Sequence, residues 1–110
     1  MTRRLSPEEI KYVVDKATDA VWHYCNHISG DDVVECLWSH VDCDLECIAG
    51  YVDADAYALM LEADDESLGE IERRFAREME SVAAKAQERA CKEFDPEFEG
   101  RVPYYCQAAY

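Results

Sequence analysis

Residues that can bind a metal ion or act as nucleophiles are concentrated between positions 23 and 47 of the chain. Four of them follow one another at intervals of four, three and four residues: Cys36, His40, Cys43 and Cys47. On an α-helix this spacing places all four side chains within about 60° of arc. His23, Cys25 and His27 precede them, so a shared metal site would take ligands from two neighbouring helices.

Zinc binding is the chemistry that thiols and imidazoles at this spacing would support. A zinc site needs four ligands converging at about 2.0–2.3 Å, and one straight helix offers only two adjacent ligands to one ion. The spacing also differs from the paired Cys-x-x-Cys pattern of zinc knuckles. Because reduced cysteines usually pack as small hydrophobes beside an apolar face, the sequence predicts structural thiols, no metal ligands and no cofactor. A small zinc-binding module remains an alternative.

The cysteines do not indicate a secreted disulfide framework. Cysteines four residues apart on a helix have Cβ atoms about 5–6 Å apart, whereas a disulfide requires about 3.8 Å. Cys91 and Cys106 are the one pair that a folded-back C-terminal segment would bring together. The N-terminus has no apolar export signal, and no apolar run reaches the length of a membrane span. We therefore expect a soluble cytoplasmic protein with reduced thiols.

Sequence motifs for catalysis are absent. The chain contains no Gly-rich phosphate loop, no HExxH and no GxSxG, which are the common signatures of phosphate-binding, metalloprotease and hydrolase sites. Asp53 and Asp55 begin like a calcium loop, but the glycine and the third oxygen ligand of such a loop are missing. A Cys–His dyad would need a lowered thiol pKa, which an acidic surrounding opposes. The sequence predicts a protein that is not an enzyme.

The charge is confined to the middle of the chain. The 110 residues carry eleven Lys and Arg against twenty-five Asp and Glu, a formal net charge of −14. Residues 17–72 hold fifteen of the acids and no Lys or Arg, whereas the flanks are close to neutral. A salt-adapted protein would spread its acids along the whole chain, whereas an acidic surface that only aids solubility stays an alternative. A concentrated negative field disfavours binding to nucleic acid or anionic membranes, and it attracts basic protein surfaces.

Hydrophobic periodicity predicts an all-α fold. Ser6 and Glu9 form a capping box around Pro7, and Leu5 and Ile10 occupy the positions of a hydrophobic staple. Asp53 is a candidate cap for a third helix and Ser67 for a fourth. We expect one domain, a compact bundle of about four helices that begins with an αα-hairpin and ends in an irregular aromatic segment. The predicted bounds are 7–28, 32–49, 54–62 and 68–94 for the helices and 95–110 for the C-terminal segment.

Acidic residues on the second helix and in the following links are the candidate partner-binding site. Glu35, Asp42 and Glu46 share one exposed stripe of the predicted helix, and Trp38 lies beside it at the edge of the apolar face. The full candidate set is Asp31, Asp32, Glu35, Trp38, Asp42, Glu46, Asp53, Asp55, Asp64, Asp65 and Glu66. Carboxylates spaced along helices can occupy a Lys- and Arg-lined groove that normally holds a phosphate backbone. Packing of Trp38 at the rim of the core is the alternative for that residue.

In overall character the chain resembles the small acidic helical inhibitors that bacteriophages encode, including anti-CRISPR proteins and other DNA mimics. The resemblance rests on the length, the base-free stretch from Ala17 to Glu72, the predicted hairpin around Ser29-Gly30-Asp31 and the lack of catalytic motifs. It implies an inhibitor in the host cytoplasm that binds the basic surface of a bacterial defence or other nucleic-acid-handling complex. A helical adaptor or dimerisation protein that binds through an apolar face is the alternative, and homodimerisation stays open.

Overall fold

The computed structural model describes residues 1–28 and 33–93, and all the regular secondary structure among them is helical. The helices are α1 (Pro7–Ile28), α2 (Val33–Ser39), α3 (Leu45–Tyr51), α4 (Ala54–Glu62) and α5 (Asp65–Glu93). The predicted all-α class is therefore confirmed for these residues. The predicted hairpin turn at Ser29–Asp31 and the aromatic segment at 95–110 lie outside the described residues.

Helix α1 begins as the sequence predicts. The Ser6 hydroxyl accepts a hydrogen bond from the Glu9 backbone N–H at 3.2 Å, and the Glu9 carboxylate accepts one from the Ser6 N–H at 2.9 Å. This reciprocal pair satisfies two of the donors that a helix start leaves open. Leu5 and Ile10 are both only 2% exposed, so the hydrophobic staple also forms.

The single helix predicted over 32–49 is wrong, because the chain forms two seven-residue helices with a break at residues 40–44. At the break the backbone makes tight turns, with the His40 N–H donating to the Leu37 carbonyl at 3.1 Å. Asp44 then caps the next helix by accepting from the Cys47 N–H at 2.9 Å. A strong N-cap restarts a helix at that point, and periodicity alone did not reveal it. Helix α3 continues through Gly50 to Tyr51.

Helix α4 has the predicted bounds, and Asp53 caps it by accepting from the Ala56 N–H at 2.8 Å. Helix α5 begins at Asp65, three residues before the predicted start, because Asp64 is its cap. The Asp64 carboxylate accepts from the Ser67 N–H at 2.8 Å. Ser67, the predicted cap, is fully buried and accepts from the Leu5 N–H at 2.9 Å instead.

One core runs along α1, which contacts each of the other four helices. Its buried residues from α1 and α5 are Ile10, Val13, Val14, Ala17, Val21, Cys25, Ile71, Phe75, Met79 and Ala83. Fully burying a side chain such as Phe75 contributes roughly 1.5–3 kcal/mol. Leu37 of α2 and Ile48 of α3 reach the same core, so the core fixes both short helices against α1 and α5.

The N-terminal segment is tied to the junction between α4 and α5. The Arg3 N–H donates to the Glu62 carbonyl at 2.7 Å, and the Asp64 N–H donates to the Arg3 carbonyl at 2.8 Å. These bonds hold Arg3 and Arg4 beside an acidic stretch of the chain. Segments far apart in sequence are thus joined at this end of the fold.

Candidate functional site

Three of the predicted Cys and His residues converge at the end of α2. The Sγ atoms of Cys25 and Cys36 and a ring nitrogen of His40 all lie within 4.8 Å of one another. Cys25 comes from the last turn of α1, Cys36 from α2, and His40 from the residue that follows α2. Cys25 is fully buried and the other two are half-buried. The site therefore lies at the rim of the core, with one side open to solvent.

The break after α2 positions His40. Its Nδ1 lies 2.8 Å from the Cys36 carbonyl oxygen, which can only accept a hydrogen bond, so Nδ1 carries the proton in this neutral tautomer. Its Nε2 is then the acceptor for the Tyr51 hydroxyl at 2.9 Å. The Nδ1 atom also lies 3.9 Å from Cys25 Sγ.

Aromatic rings surround the imidazole. Tyr24, His40 and Tyr51 meet pairwise in edge-to-face contacts, with ring centroids 5.5–5.8 Å apart. Such contacts hold ring orientations more firmly than area burial alone. These rings, together with the hydrogen bonds to the Cys36 carbonyl and the Tyr51 hydroxyl, orient the imidazole in the structure.

A second pair of thiols lies at the start of α3. Cys43 Sγ and Cys47 Sγ are 2.7 Å apart. The predicted i, i+4 separation does not apply to them, because Cys43 lies before α3 and only Cys47 is helical. The two thiols pair with each other, and they do not join the Cys25, Cys36 and His40 group.

Burial raises the pKa of two thiols and one phenol in this region. Burial raises the pKa of Cys25 to about 12, with a smaller contribution from the Cys36 thiol. Burial likewise raises the pKa of Cys43 to about 12, and the Cys47 thiol adds to the effect. The pKa of Tyr51 is raised to about 12, mainly by burial and further by the nearby thiols. A thiol with a raised pKa carries less thiolate at neutral pH, and the thiolate is the nucleophilic form.

The remaining histidines are not part of this group. His23 and His27 are exposed on α1, and His23 Nε2 lies 3.6 Å from the Asp19 carboxylate. His23 lies two residues before Cys25 and His27 lies two residues after it, so the sequence grouped both with the cysteines. Their exposure shows that they lie on the outer side of the helix, away from the core.

Three acids of the predicted partner-binding set are exposed on the part of the chain that forms α2 and α3. Glu35 is on α2, Asp42 is in the break, and Glu46 is in the first turn of α3. Within the described residues none of the three has a Lys, Arg or His partner. We call them the α2–α3 acidic residues. They do not form one straight helical stripe, as predicted, because the helix is interrupted between them.

Other members of the predicted set have structural roles. The Asp53 carboxylate caps α4 and also accepts from the Tyr12 hydroxyl at 3.0 Å. The hydrogen bond from the Ala56 N–H is the main reason that the pKa of Asp53 is lowered. Asp64 caps α5, and the bond from the Ser67 N–H lowers its pKa in the same way. These carboxylates are committed to helix starts.

The acidic stretch around the start of α5 is partly neutralised from the N-terminus. Arg4 Nη1 lies 2.9 Å from a Glu66 carboxylate oxygen, and Arg4 Nη2 lies 3.7 Å from Glu70. Arg3 forms a two-bond contact with Glu9 and lies 3.9 Å from Glu62. The sequence analysis missed these contacts, because nothing in the linear pattern joins residues 3–4 to residues 62–70.

Trp38 is an exposed aromatic residue of α2 that is tied to α5 by a side-chain hydrogen bond. Its side chain is 36% exposed, and its indole N–H donates to the Gln87 side-chain oxygen at 2.9 Å. This bond joins α2 to α5. Asp55 and Asp65 are exposed in the first turns of α4 and α5. Asp31 and Asp32 lie outside the described residues, and so does Cys106 of the predicted Cys91–Cys106 pair.

An open groove of about 810 Å³ lies between α1 and α5. Its walls alternate between charges of both signs, and Trp22 and Val82 supply the larger apolar surfaces. The charged residues of the lining are Asp15, Lys16, Asp19, Glu78, Lys85 and Arg89. Mixed charges of this kind are typical of solvated helix faces.

No family model, no curated protein and no solved structure matches this chain. Among the described helices, none is both long enough and apolar enough to cross a membrane.

Proposed function

We propose that the protein is an inhibitor that binds a basic protein surface, one that ordinarily holds the backbone of a nucleic acid, in a bacterial defence or other nucleic-acid-handling complex. The observation that carries the proposal is the set of α2–α3 acidic residues: Glu35, Asp42 and Glu46 are exposed and lack cationic partners within the described part of the chain. A carboxylate that already has an internal partner would lose it on binding, whereas these three would not.

The charge distribution supports the same proposal at longer range. Residues 17–72 carry fifteen acids and no Lys or Arg, so the negative field is concentrated on one part of the chain. Complementary fields accelerate encounter with a basic partner and fix its orientation. They also oppose binding to phosphate backbones. Arg3 and Arg4 reduce this field at the start of α5, which makes α2 and α3 the favoured contact surface.

The test is a charge reversal with a matched control. The variant Glu35→Lys/Asp42→Lys/Glu46→Lys is compared with Glu78→Lys/Glu80→Lys/Glu93→Lys, which changes the net charge equally on exposed positions of α5. Each immobilised protein is exposed to a bacterial lysate that contains nucleic-acid-handling complexes. Bound proteins are eluted with a salt gradient and identified by mass spectrometry.

We expect the wild type and the α5 control to retain a basic nucleic-acid-binding complex that elutes at moderate salt, because salt screens exposed charge pairs. The α2–α3 reversal should lose it while circular dichroism shows unchanged helicity. Equal retention by both reversal variants would show that the α2–α3 acidic residues are not the contact.

A helical adaptor is the second candidate, and one observation favours it. Tyr57 and Leu61 lie one turn apart on α4 and are 45% and 65% exposed. Neighbours at this spacing share a helix face, so they offer a small apolar contact. In the same experiment, this candidate predicts a partner that stays bound at high salt and is released by Tyr57→Ser/Leu61→Ser.

A further inference from the structure

We propose that Cys25, Cys36 and His40 form a binding site for a divalent cation of the zinc class, with two sulfur ligands, one imidazole nitrogen and one position open to water. This inference is independent of the proposed partner binding, because none of the three residues is an acid of the α2–α3 surface. It differs from the expectation of purely structural thiols.

The distances fit a tetrahedral ion after a small adjustment. Two ligands at about 2.0–2.3 Å from a tetrahedral zinc lie roughly 3.5–3.8 Å apart. Cys25 Sγ and His40 Nδ1 are already 3.9 Å apart, and no ligand pair in the group exceeds 4.8 Å. The side chains of Cys36 and His40 are half-buried, so rotations about their χ angles can close the remaining gap while the buried Cys25 stays in place.

The ligand set selects the class of ion. Thiolate and imidazole together favour zinc and related ions over magnesium or calcium, which prefer oxygen ligands. Two thiolates carry two negative charges, which a divalent cation balances. The surrounding excess of acid in residues 17–72 also favours the approach of a cation.

The protons that the ion displaces from the two thiols pass to solvent, and His40 exchanges its ring proton with solvent. Binding releases the two thiol protons of Cys25 and Cys36 to water, and two metal–sulfur bonds form. His40 changes tautomer: the Nδ1 proton, now shared with the Cys36 carbonyl, is lost to solvent, and Nε2 gains one. The Nε2–H then donates to the Tyr51 oxygen, which reverses the present bond. Such a second contact is the usual way that proteins orient a metal-bound imidazole.

A bound ion would stabilise the packing of α2 against α1. Cys25 is on α1, whereas Cys36 lies within α2 and His40 follows its last residue. An ion bound by all three would link these two elements across the connection between them. Metal binding of this kind adds directly to folding stability.

The experiment uses the full 110-residue chain, reduced with a phosphine, freed of metal with a chelator and titrated with Co²⁺ and then Zn²⁺. Cobalt is the probe because its sulfur bonds give a near-ultraviolet charge-transfer band. We expect one equivalent of Co²⁺ with tetrahedral visible absorption, displacement by Zn²⁺, and a higher melting temperature with Zn²⁺. Cys36→Ser and His40→Gln should weaken Zn²⁺ binding by more than the roughly 100-fold that loss of a supporting contact can cause.

Two control variants separate this site from other Cys and His residues. His23→Gln alters an exposed histidine of α1, and Cys43→Ser/Cys47→Ser removes the second thiol pair; both should bind Zn²⁺ as the wild type does. Circular dichroism confirms that each variant keeps its helices. Absence of stoichiometric Co²⁺ binding by the wild type would overturn the proposal. Unchanged binding by Cys36→Ser and His40→Gln, or binding that requires Cys43 and Cys47, would also overturn it.

Discussion

Three carboxylates at the junction of α4 and α5 are held by the protein itself, whereas the α2–α3 acidic residues are exposed and have no cationic partner within residues 1–28 and 33–93. At the junction, Asp64 caps α5, and Glu62 and Glu66 pair with Arg3 and Arg4. On the other side, the α2–α3 acidic residues have no such pairs among the described residues. The linear sequence shows similar acid density in both regions. Local helix caps and tertiary ion pairs together distinguish the structural carboxylates from the available ones.

The largest loss of unfolding free energy should follow from removing the Ser67 hydroxyl at the junction of α4 and α5. Its hydroxyl is the partner of the Leu5 N–H, and both are buried. Ser67→Ala leaves that donor unsatisfied, which costs roughly 1–3 kcal/mol of unfolding free energy. Urea denaturation measures the loss. Ser81→Ala, at an exposed position of the same helix, should change stability by less than about 0.5 kcal/mol. Equal effects for the two variants would contradict the role of this buried bond.

A smaller difference in stability is expected between alanine variants of two acids that lie two residues apart in the break between α2 and α3. Asp44 caps α3 by accepting from the Cys47 N–H, so Asp44→Ala should cost about 1 kcal/mol. Asp42 is exposed and caps no helix, so Asp42→Ala should stay within about 0.5 kcal/mol of the wild type. Thermal denaturation of the two variants provides the comparison. If Asp42→Ala were the more destabilising, the assignment of Asp42 to the available acids would fail.

The smallest effect is on the pH dependence of stability, and it tests the ion pair between Arg3 and Glu9 near the N-terminus. The Arg3 guanidinium, together with the Ser6 N–H, lowers the pKa of Glu9 from 4.5 to about 2. A folded-state pKa below the unfolded value means that this contribution is fully present above about pH 4.5 and is lost as pH falls toward 2. Glu9→Gln should therefore flatten the decline of stability across that window. Glu8→Gln, the exposed neighbour, is the control, and an identical decline in both variants would refute the Arg3–Glu9 contribution.

Local rules predicted the parts of the fold that depend on neighbouring residues. The capping box at Ser6 and the cap at Asp53 are local, and both helices begin where the sequence predicts. The break at residues 40–44 was missed because Val41 and Leu45 continue the apolar period through it. The early start of α5 was missed because Asp64 and Ser67 are both good caps, and the tertiary bond to Leu5 decides between them.

The candidate sites divide in the same way. Exposure of Glu35, Asp42 and Glu46 follows from the polar face of the pattern, so the sequence predicted it. The spacing already placed Cys36 and His40 on one face of a helix, but only the packing of α1 against α2 shows which residue of α1, Cys25, joins them. The sequence allowed for a group shared between two helices, but it favoured structural thiols over metal ligands. The pairing of Arg3 and Arg4 with Glu62, Glu66 and Glu70 spans about sixty residues, and no local pattern reveals it.

The most direct test of the account is a competition measurement on the complex retained by the immobilised protein. That complex is loaded with a fluorescent nucleic acid, and the wild type or the Glu35→Lys/Asp42→Lys/Glu46→Lys variant is added at increasing concentration. We predict that the wild type displaces the nucleic acid and that the variant does not. A wild-type protein that binds the complex while the nucleic acid stays bound would contradict the proposal that both occupy the same basic surface.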